Sequence, residues 1–245
     1  MILKRLFDIF ISALALIFLS PILLTFIFLV WVYDFQNPFY IAPRVGMYGK
    51  SFSMIKIRSM VVNADKSGVD STSASDSRIT PLGVYIRKLK LDELTQLINV
   101  FKGDMSLVGP RPNVKREVLL YTDLERTLLN VKPGITDIAS IVFSDESEIL
   151  SGSADPDIDY NQLIRPGKGL LGVYYVRNSS FFLDLCLILI TVVSIFSRKK
   201  SLSLLRSLLV FNQAPSSVIR VASRRHPLTP SPPYGGSHIV TSRFA

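Results

Sequence analysis

The residues best able to do chemistry lie between Arg87 and Pro112. Asp92 and Glu93 are adjacent carboxylates, with Arg87 before them and Arg111 after them. Neighbouring carboxylates repel each other, so a site that keeps both ionised usually supplies a cation, and such hard oxygen ligands suit Mg²⁺ together with substrate phosphates. Guanidinium groups match phosphate oxygens with paired hydrogen bonds. The pattern predicts a magnesium site at the two acids and phosphate binding at the two arginines.

The acidic pair precedes a predicted helix. Apolar residues recur at helical spacing after it, at Leu94, Leu97, Ile98 and Phe101. Gly103 then predicts the end of that helix. The two carboxylates therefore lie at a helix N-terminus, where capping and compensation of the helix dipole are an ordinary structural role. Taken alone, the acidic pair is open to this structural interpretation as well as to the catalytic one.

A short strand is predicted after the glycine, from Met105 to Val108. Prolines at positions 110 and 112 then restrict the backbone on both sides of Arg111. We expect this arginine to be held in place. Either of the two arginines could instead pair with a structural acid such as Asp104.

The order of these residues closely resembles the signature of the bacterial sugar transferases, the monotopic phosphoglycosyl transferases. The similarity is carried by Arg87 and by the runs Asp-Glu-Leu, Gln-Leu-Ile-Asn-Val, Lys-Gly-Asp-Met-Ser and Val-Gly-Pro-Arg-Pro, which follow in that order up to Pro112. It is nearly continuous there, and it extends more loosely from about Lys4 to about Ser197.

The resemblance implies transfer of a sugar-1-phosphate from a UDP-sugar to polyprenyl (undecaprenyl) phosphate. Asp92 would form a phosphosugar-aspartyl intermediate and release UMP, and Glu93 would hold Mg²⁺. Such a reaction begins the synthesis of surface glycans at the cytoplasmic face of the bacterial inner membrane, with downstream glycosyltransferases as further partners. Two rival functions stay open: a magnesium-dependent phosphohydrolase at the membrane, and a non-catalytic membrane adaptor.

The resemblance also marks a candidate substrate loop, Lys132-Pro133-Gly134, within a predicted tight turn at 131–136. Two departures from the common pattern follow it. Asp-Ile-Ala-Ser at 137–140 stands where many members have Gly-Trp-Ala-Gln, and Gly172 replaces an acid that often precedes Tyr-Val. The departures fall in the part that the resemblance assigns to the sugar and base contacts, and they leave the acidic pair unchanged.

The composition favours a membrane partner. Hydrophobic residues make up 48% of the 245 residues, the mean hydropathy is +0.35, and the formal net charge is +9. Basic charge suits nucleic acid or an anionic membrane surface, but the apolar N-terminus favours membrane lipids, and we expect no nucleic acid partner. The single Cys186 excludes an intramolecular disulfide.

The stretch from Ile9 to Tyr33 carries no charge and is long enough to span a bilayer. A secretory signal is disfavoured because no small-x-small cleavage site follows. Ser20-Pro21 lies at the middle, where proline removes a helix hydrogen bond and predicts a sharp bend. A kinked span and a re-entrant helix both fit this pattern. The family resemblance implies the second, with a helix break at Ser20 and Pro21 and both ends in the cytoplasm.

The rest of the chain predicts a mostly helical α+β fold. A β-hairpin is expected at Pro38–Arg58, with Lys56 and Arg58 on one face as candidate phosphate or headgroup contacts. The Ser- and Asp-rich stretch Ala64–Thr80 predicts a surface loop, and Pro81 the first turn of the helix that carries Arg87. The other predicted elements are an amphipathic helix at Val114–Leu129 and an interfacial or partly buried apolar helix at Phe181–Phe196, ended by basic residues 198–200 that would face lipid phosphates.

These elements divide the chain into four parts. We expect a re-entrant membrane anchor at 1–36, a cytoplasmic catalytic domain with interfacial amphipathic helices at 37–200, and a further amphipathic helix at 201–223. The proline-rich stretch 224–245 lacks an apolar period and predicts a disordered tail that adds nothing to the core. Both histidines, His226 and His238, lie in that tail, so a histidine-based mechanism is not expected.

Overall fold

The computed structural model describes residues 2–67, 72–73 and 76–242 of the chain. It is mainly helical with two small two-stranded sheets, which confirms the predicted α+β class. The strands are β1 (Phe39–Val45), β2 (Ser51–Ile57), β3 (Ser106–Val108) and β4 (Gly134–Thr136). The α-helices are α1 (Ile2–Asp34), α2 (Pro81–Lys88), α3 (Leu91–Leu94), α4 (Leu97–Lys102), α5 (Lys115–Leu119), α6 (Asp123–Arg126), α7 (Ile138–Val142), α8 (Glu146–Ile149), α9 (Pro156–Asp159), α10 (Arg165–Asn178), α11 (Phe181–Phe196), α12 (Arg198–Phe211) and α13 (Ser216–Ser223).

The N-terminal helix α1 keeps its helical conformation through Pro21. The predicted bend of its axis at Ser20 and Pro21 stays a prediction. Proline has no N–H for the carbonyl of Ile17, four residues earlier. The hydroxyl of Ser20 donates to that carbonyl instead, at 2.7 Å. A local side-chain donor thus replaces the missing backbone bond, and the helix continues. By length and composition, α1 is able to cross a membrane.

Both ends of α1 are attached to the rest of the protein. In its first turn, the amine of Lys4 lies 2.6 Å from Asp184 on α11. At its last residue, Asp34 pairs with Arg58, directly after β2, at 2.5 Å. Much of the helix surface between these ends is apolar and exposed, including Phe18, which is 76% exposed.

The predicted hairpin is confirmed: β1 and β2 pair antiparallel, with Tyr40 opposite Lys56. It packs on the helices that follow through Asn99 of α4. The side chain of Asn99 accepts from the backbone N–H of Ile55 at 3.0 Å and donates to the carbonyl of Ser53 at 2.7 Å. These two bonds fix the register of β2 against α3 and α4, and this orients Lys56.

The helix predicted after the acidic pair is divided into α3 and α4. Thr95 and Gln96 form a turn between them. The buried hydroxyl of Thr95 contacts two carbonyls, that of Asp92 at 3.2 Å and that of Ile55 at 3.1 Å. The turn between α3 and α4 therefore lies where Thr95 bonds to β2. The predicted end at Gly103 is confirmed, because its φ of 99° lies in the left-handed region that favours glycine.

The predicted strand after the glycine is β3, which pairs in parallel with β4. The prediction of a tight turn at 131–136 is wrong for its second half, since Gly134–Thr136 is strand β4. A Cβ at Gly134 would lie 2.1 Å from the backbone nitrogen of Gly109. The close approach of the two segments therefore requires glycine.

The amphipathic helix predicted at Val114–Leu129 is broken into α5, α6 and a 3₁₀ turn at Thr127–Asn130. Thr122 and Glu125 form a reciprocal capping box that starts α6 as a new helix. In the predicted loop, the described parts contain a 3₁₀ turn at Ala64–Ser67 and a bridge between Met60 and Ile79. Residues 68–71 and 74–75 of that loop lie outside the described residues. The start of α2 is as predicted, with Thr80 as its cap.

The main hydrophobic core lies among α7, α10, α11, α12 and α13. The predicted apolar helix is α11, with the predicted bounds. The stretch predicted as one amphipathic helix at 201–223 forms α12 and α13, whose Leu205, Leu209 and Val218 are buried in that core. Arg198 pairs with Asp145 at 2.9 Å, so this member of the predicted lipid-facing cluster is turned towards the protein.

The described part of the proline-rich tail contacts the rest of the protein at a few positions. The disorder expected from its composition stays a prediction. The hydroxyl of Thr122 donates to the carbonyl of Tyr234 at 2.6 Å, and Gln162 bonds to two tail residues, Ser231 and Val240. The tail has no apolar period of its own. Its contacts come instead from backbone groups that find partners at the N-cap of α6 and on the π-helical segment Tyr160–Ile164.

Candidate active site

Asp92 and Glu93 lie in the first turn of α3. The residue at the N-cap is Lys90, with a left-handed φ of 54° and no side-chain capping bond. Asp92 is only 7% exposed. Helix capping therefore does not account for Asp92, because a carboxylate placed for that role would stand at the N-cap and accept backbone N–H groups.

Lys56 of β2 approaches both acids. Its amine lies 3.7 Å from the Asp92 carboxylate and 3.6 Å from that of Glu93. It thus supplies the cation that two adjacent carboxylates need. Its partner on the same hairpin face, Arg58, is used instead to hold the end of α1.

Arg111 forms an ion pair with Glu93. Its segment is held from behind by β4, since the N–H of Gly134 donates to the carbonyl of Pro110 at 3.0 Å. Asp104, the alternative structural partner, accepts instead from the amide of Asn99 at 3.2 Å. The prediction that Arg111 is held beside the acids is confirmed.

A cleft of about 590 Å³ opens over the acidic pair. Asp92, Arg87 and Arg111 all line it, so three of the four residues predicted from the signature share one cavity, with the fourth, Glu93, bonded at its wall. The basic residues that line the cleft are Arg44, Lys56, Arg58, Arg78, Arg87, Arg111 and Lys168. This concentration of cations suits a ligand with several phosphates.

The two acids have different electrostatic environments. Burial raises the pKa of Asp92 above its ordinary value, an effect that Lys56 only partly offsets. Burial acts in the same direction on Glu93, but the charges of Arg111 and Lys56 outweigh it and hold the pKa of Glu93 well below its ordinary value. Glu93 is therefore a fixed carboxylate, whereas Asp92 is the more basic and hence the more nucleophilic of the two.

The candidate substrate loop does not line the cleft. Lys132, Pro133 and Gly134 run behind the arginine segment, where the carbonyl of Lys132 and the backbone of Gly134 pack on Gly109. Pro133 accepts a hydrogen bond from the N–H of Ser106 at 2.8 Å. In this structure these residues support the segment of Arg111, and their role as a substrate loop stays a prediction.

A smaller pocket of about 50 Å³ branches from the cleft behind Arg111. The two cavities share Arg111, Asn113, Tyr160 and Lys168. The inner wall of the pocket is formed by the start of α7 and by the glycines of α10.

Comparison with known sequences identifies the family to which the chain belongs. The family model described as bacterial sugar transferase matches residues 1–198. The chain belongs to the bacterial sugar transferase family. The match ends at the start of α12, so α12, α13 and the tail lie beyond it.

Several curated relatives are similar to this sugar transferase. The uncharacterized sugar transferase EpsL of Bacillus subtilis is 40% identical over 192 residues, which are 78% of this chain and 86% of EpsL. The exopolysaccharide production protein ExoY of Sinorhizobium fredii is 34% identical, over 78% of this chain and 84% of ExoY. The undecaprenyl-phosphate glucose phosphotransferase of Komagataeibacter xylinus is 37% identical over 80% of this chain.

The relatives differ in length. This family member spans 36% of the Komagataeibacter protein and 41% of an uncharacterized sugar transferase of Haemophilus influenzae, to which it is 35% identical. It thus corresponds to most of the shorter relatives and to less than half of the longer ones.

The residues that sequence reasoning missed come from distant segments. The sequence indicates Lys56 only as a candidate phosphate or headgroup contact. It gives no signal for Tyr160 or Lys168. The alternation of β2 was the one available signal for Lys56, because it separates Lys56 from the buried Ile57. Nothing in the local pattern of 160–168 indicates that these residues reach the cleft.

The donor chemistry of the acidic pair fits Mg²⁺. Within the described residues there is no group of three or more His, Cys, Asp or Glu side chains that could form a closed metal site. Magnesium is usually bound by one or two carboxylates together with substrate phosphates and water. Asp92 and Glu93 supply those carboxylates at the edge of a basic cleft.

Proposed function

We propose that this family member transfers a sugar-1-phosphate from a UDP-sugar to polyprenyl phosphate, with Asp92 as the covalent nucleophile. The observation that carries the proposal is the pairing of a buried, more basic Asp92 with a fixed Glu93 inside a cleft lined by cations. The names of relatives support the substrates, since one is called UDP-glucose:undecaprenyl-phosphate glucose-1-phosphate transferase, in Klebsiella pneumoniae, at 36% identity.

In the first step a carboxylate oxygen of Asp92 attacks the phosphorus that carries the sugar. A bond forms between that oxygen and phosphorus, the bridging P–O bond of the diphosphate breaks, and UMP leaves with the electron pair. Arg87 and Arg111 bind phosphate oxygens, and the Lys56 ammonium offsets the charge that gathers when a phosphate approaches the two acids.

In the second step a phosphate oxygen of the polyprenyl phosphate attacks the same phosphorus. The bond between phosphorus and Asp92 breaks, so the carboxylate is restored and the product is a lipid-linked diphosphate sugar. No proton has to be transferred in either step. This agrees with the absence of histidine from the described lining of the cleft.

Mg²⁺ is proposed as the cofactor, held by Asp92 and Glu93 together with the donor phosphates. When bound there, it neutralises charge on the diphosphate and on the departing UMP. Arg111 keeps Glu93 ionised and therefore able to bind a cation.

The lipid acceptor requires a site at the membrane surface. We propose that α1 anchors the protein in the bacterial inner membrane with both of its ends at the cytoplasmic face. The attachment of Lys4 to α11 and of Asp34 to Arg58 supports this, because both ends of α1 contact the same catalytic domain. Its exposed apolar surface supports lipid contact. The product is expected to enter surface glycan synthesis, such as that of exopolysaccharide, O-antigen or capsule.

The test is incubation of the purified chain with UDP-sugars, polyprenyl phosphate and Mg²⁺. The proposal expects UMP release together with a lipid-linked diphosphate sugar. Free sugar phosphate as the main product would indicate the phosphohydrolase. UMP release that is absent with every donor and acceptor would support the non-catalytic adaptor.

A further inference from the structure

The small pocket behind Arg111 contains an acid that the proposed mechanism does not use. Asp137, at the N-cap of α7, is only 2% exposed and lines this pocket. Within the described chain, its hydrogen bonds come from Ser140, whose N–H donates to one carboxylate oxygen at 2.6 Å. A carboxylate has about four acceptor sites, so Asp137 keeps unused acceptor capacity at the pocket.

A second polar group at the pocket is the hydroxyl of Tyr160. The hydroxyl of Tyr160 forms no hydrogen bond in the part of the chain that the structure describes, although its ring is packed under Lys168. Tyr160 is half-buried and lines both cavities, so its hydroxyl is open to a ligand that enters from the cleft. The hydroxyl and the carboxylate together form a polar wall that is ready to accept hydrogen bonds.

The charges of the pocket decide what kind of group it can hold. Two of its cations are paired with acids other than Asp137: Arg165 with Glu125, and Lys168 with Glu146. The third, Arg111, also lines the cleft, where the donor phosphates are proposed to bind, so a second anion in the pocket would meet the Asp137 carboxylate. Neutral groups that donate hydrogen bonds, such as hydroxyl or amide N–H, are favoured instead.

The position and size of the pocket indicate which part of the UDP-sugar donor it can hold. The pocket opens beside Arg111, which contacts the acidic pair, so the group attached to the reacting phosphate lies nearest to it. A volume of about 50 Å³ admits hydroxyl or N–H groups at the edge of a ring but no nucleoside, whereas the cleft of about 590 Å³ has room for the rest of the donor.

We propose that Asp137 and Tyr160 form a specificity subsite that accepts hydrogen bonds from hydroxyl or N–H groups of the donor's sugar ring. This rests on the proposed function and deepens it, because it assigns sugar selection to the pocket and phosphate binding to the cleft. Gly172 keeps the pocket open on its far side: a Cβ there would lie 2.8 Å from a methyl carbon of Leu128.

The test compares binding of UDP-glucose, UDP-galactose, UDP-N-acetylgalactosamine and UDP to the purified full chain by calorimetry. Asp137→Asn keeps a good N-cap for α7 and so should fold. This variant is expected to weaken the binding of the preferred UDP-sugar about ten- to a hundredfold, as for loss of a hydrogen bond to a charged group. The affinity for UDP should stay almost unchanged. Tyr160→Phe, which removes only the hydroxyl, should act in the same direction with a smaller effect.

Asp155→Asn is the matched control, because Asp155 caps α9 in the same way and does not line the pocket. Asp155→Asn should change neither the affinity for UDP nor the affinity for the UDP-sugar. Equal weakening of UDP and UDP-sugar by Asp137→Asn would overturn the inference, as would no weakening of either. A wild-type chain that binds and turns over no UDP-sugar would instead defeat the proposed function, and the inference with it.

Discussion

At the scale of single residues, the site depends on three side chains that share charge. Asp92 and Glu93 are adjacent, but only Glu93 has an arginine partner, and Lys56 lies between the two. This asymmetry separates the roles of the two acids. The fixed carboxylate is suited to a cation and the more basic one to attack on phosphorus.

Replacing Asp92 by Asn should abolish turnover and leave the fold intact. The change is isosteric and removes the proposed nucleophile, so UMP release should fall on the order of a thousandfold or more. Thermal unfolding should show no loss of stability, because a buried charge is removed. Asp123→Asn, in the first turn of α6, is the control and should keep full activity. Substantial UMP release by a folded Asp92→Asn protein would exclude the covalent mechanism.

Lys56→Met should lower kcat/KM by about a hundredfold, as expected for removal of one electrostatic contact to reacting phosphates. Steady-state kinetics of UMP release would measure this. Lys50→Met is a suitable control, since Lys50 lies at the exposed turn of the same hairpin. If the two variants behave alike, Lys56 has no role in the reaction.

Asp137 should make stability depend on pH. Burial raises its pKa above the ordinary value of 3.8, and the hydrogen bonds from Ser140 only partly offset this. The folded state then binds the proton more tightly than the unfolded state, so wild-type stability falls as pH rises from 3.8 through the raised pKa. The melting temperature of Asp137→Asn should therefore rise relative to that of the wild type as the pH increases from 4 towards neutral, on the order of a few degrees. A difference that shrinks as pH rises would contradict the assignment.

At the scale of elements, α1 is the part whose role depends most on its contacts. Its sequence is apolar enough to span a membrane, yet both of its ends are tied to the catalytic domain. The Ser20 hydroxyl replaces the hydrogen bond that Pro21 cannot make, so the helical conformation continues through the proline.

Cysteine labelling should distinguish the two topologies of α1. In a background with Cys186 replaced by Ser, single cysteines at positions 2 and 37 should both react only with a reagent supplied from the cytoplasmic side. Their reactivity in right-side-out and inverted vesicles measures this directly. Labelling of position 2 from the periplasm would show that α1 crosses the membrane.

At the scale of the whole molecule, the region beyond the family match completes the core. Helices α12 and α13 contribute buried side chains, and the tail bonds to Thr122 and Gln162 beside the pocket. The part of the chain beyond the family match thus supports the wall of the candidate sugar subsite.

Truncation after Ser223 should lower the melting temperature by about 8–15 °C, because the bonds of the tail to Thr122 and Gln162 and that of Arg224 to Asp145, about 1 kcal/mol each, are lost. Truncation after Ser197 should prevent folding, since it uncovers the core that Leu205 and Leu209 fill. Thermal unfolding in detergent measures both effects, with His238→Ala, an exposed tail residue, as the control. An unchanged melting temperature after the shorter truncation would restore the view of the tail as an appendage.

The sequence by itself determined the features whose cause is local. The acidic pair, the proline-flanked Arg111, the hairpin and the bounds of α11 all follow from spacing, backbone restriction or alternation within a short stretch. The family was recognisable for the same reason, because its signature is nearly continuous from Arg87 to Pro112.

Only the tertiary structure decided the features whose cause is a contact between distant segments. Lys56 meets Asp92 because Asn99 fixes the register of β2. Gly134–Thr136 becomes a strand because β3 supplies its partner. The proline-rich tail contacts the cap of α6 and the π-helical segment through its backbone, although its own residues have little apolar surface to offset the entropy of ordering. Such pairings join positions far apart in the chain, and no local pattern encodes them.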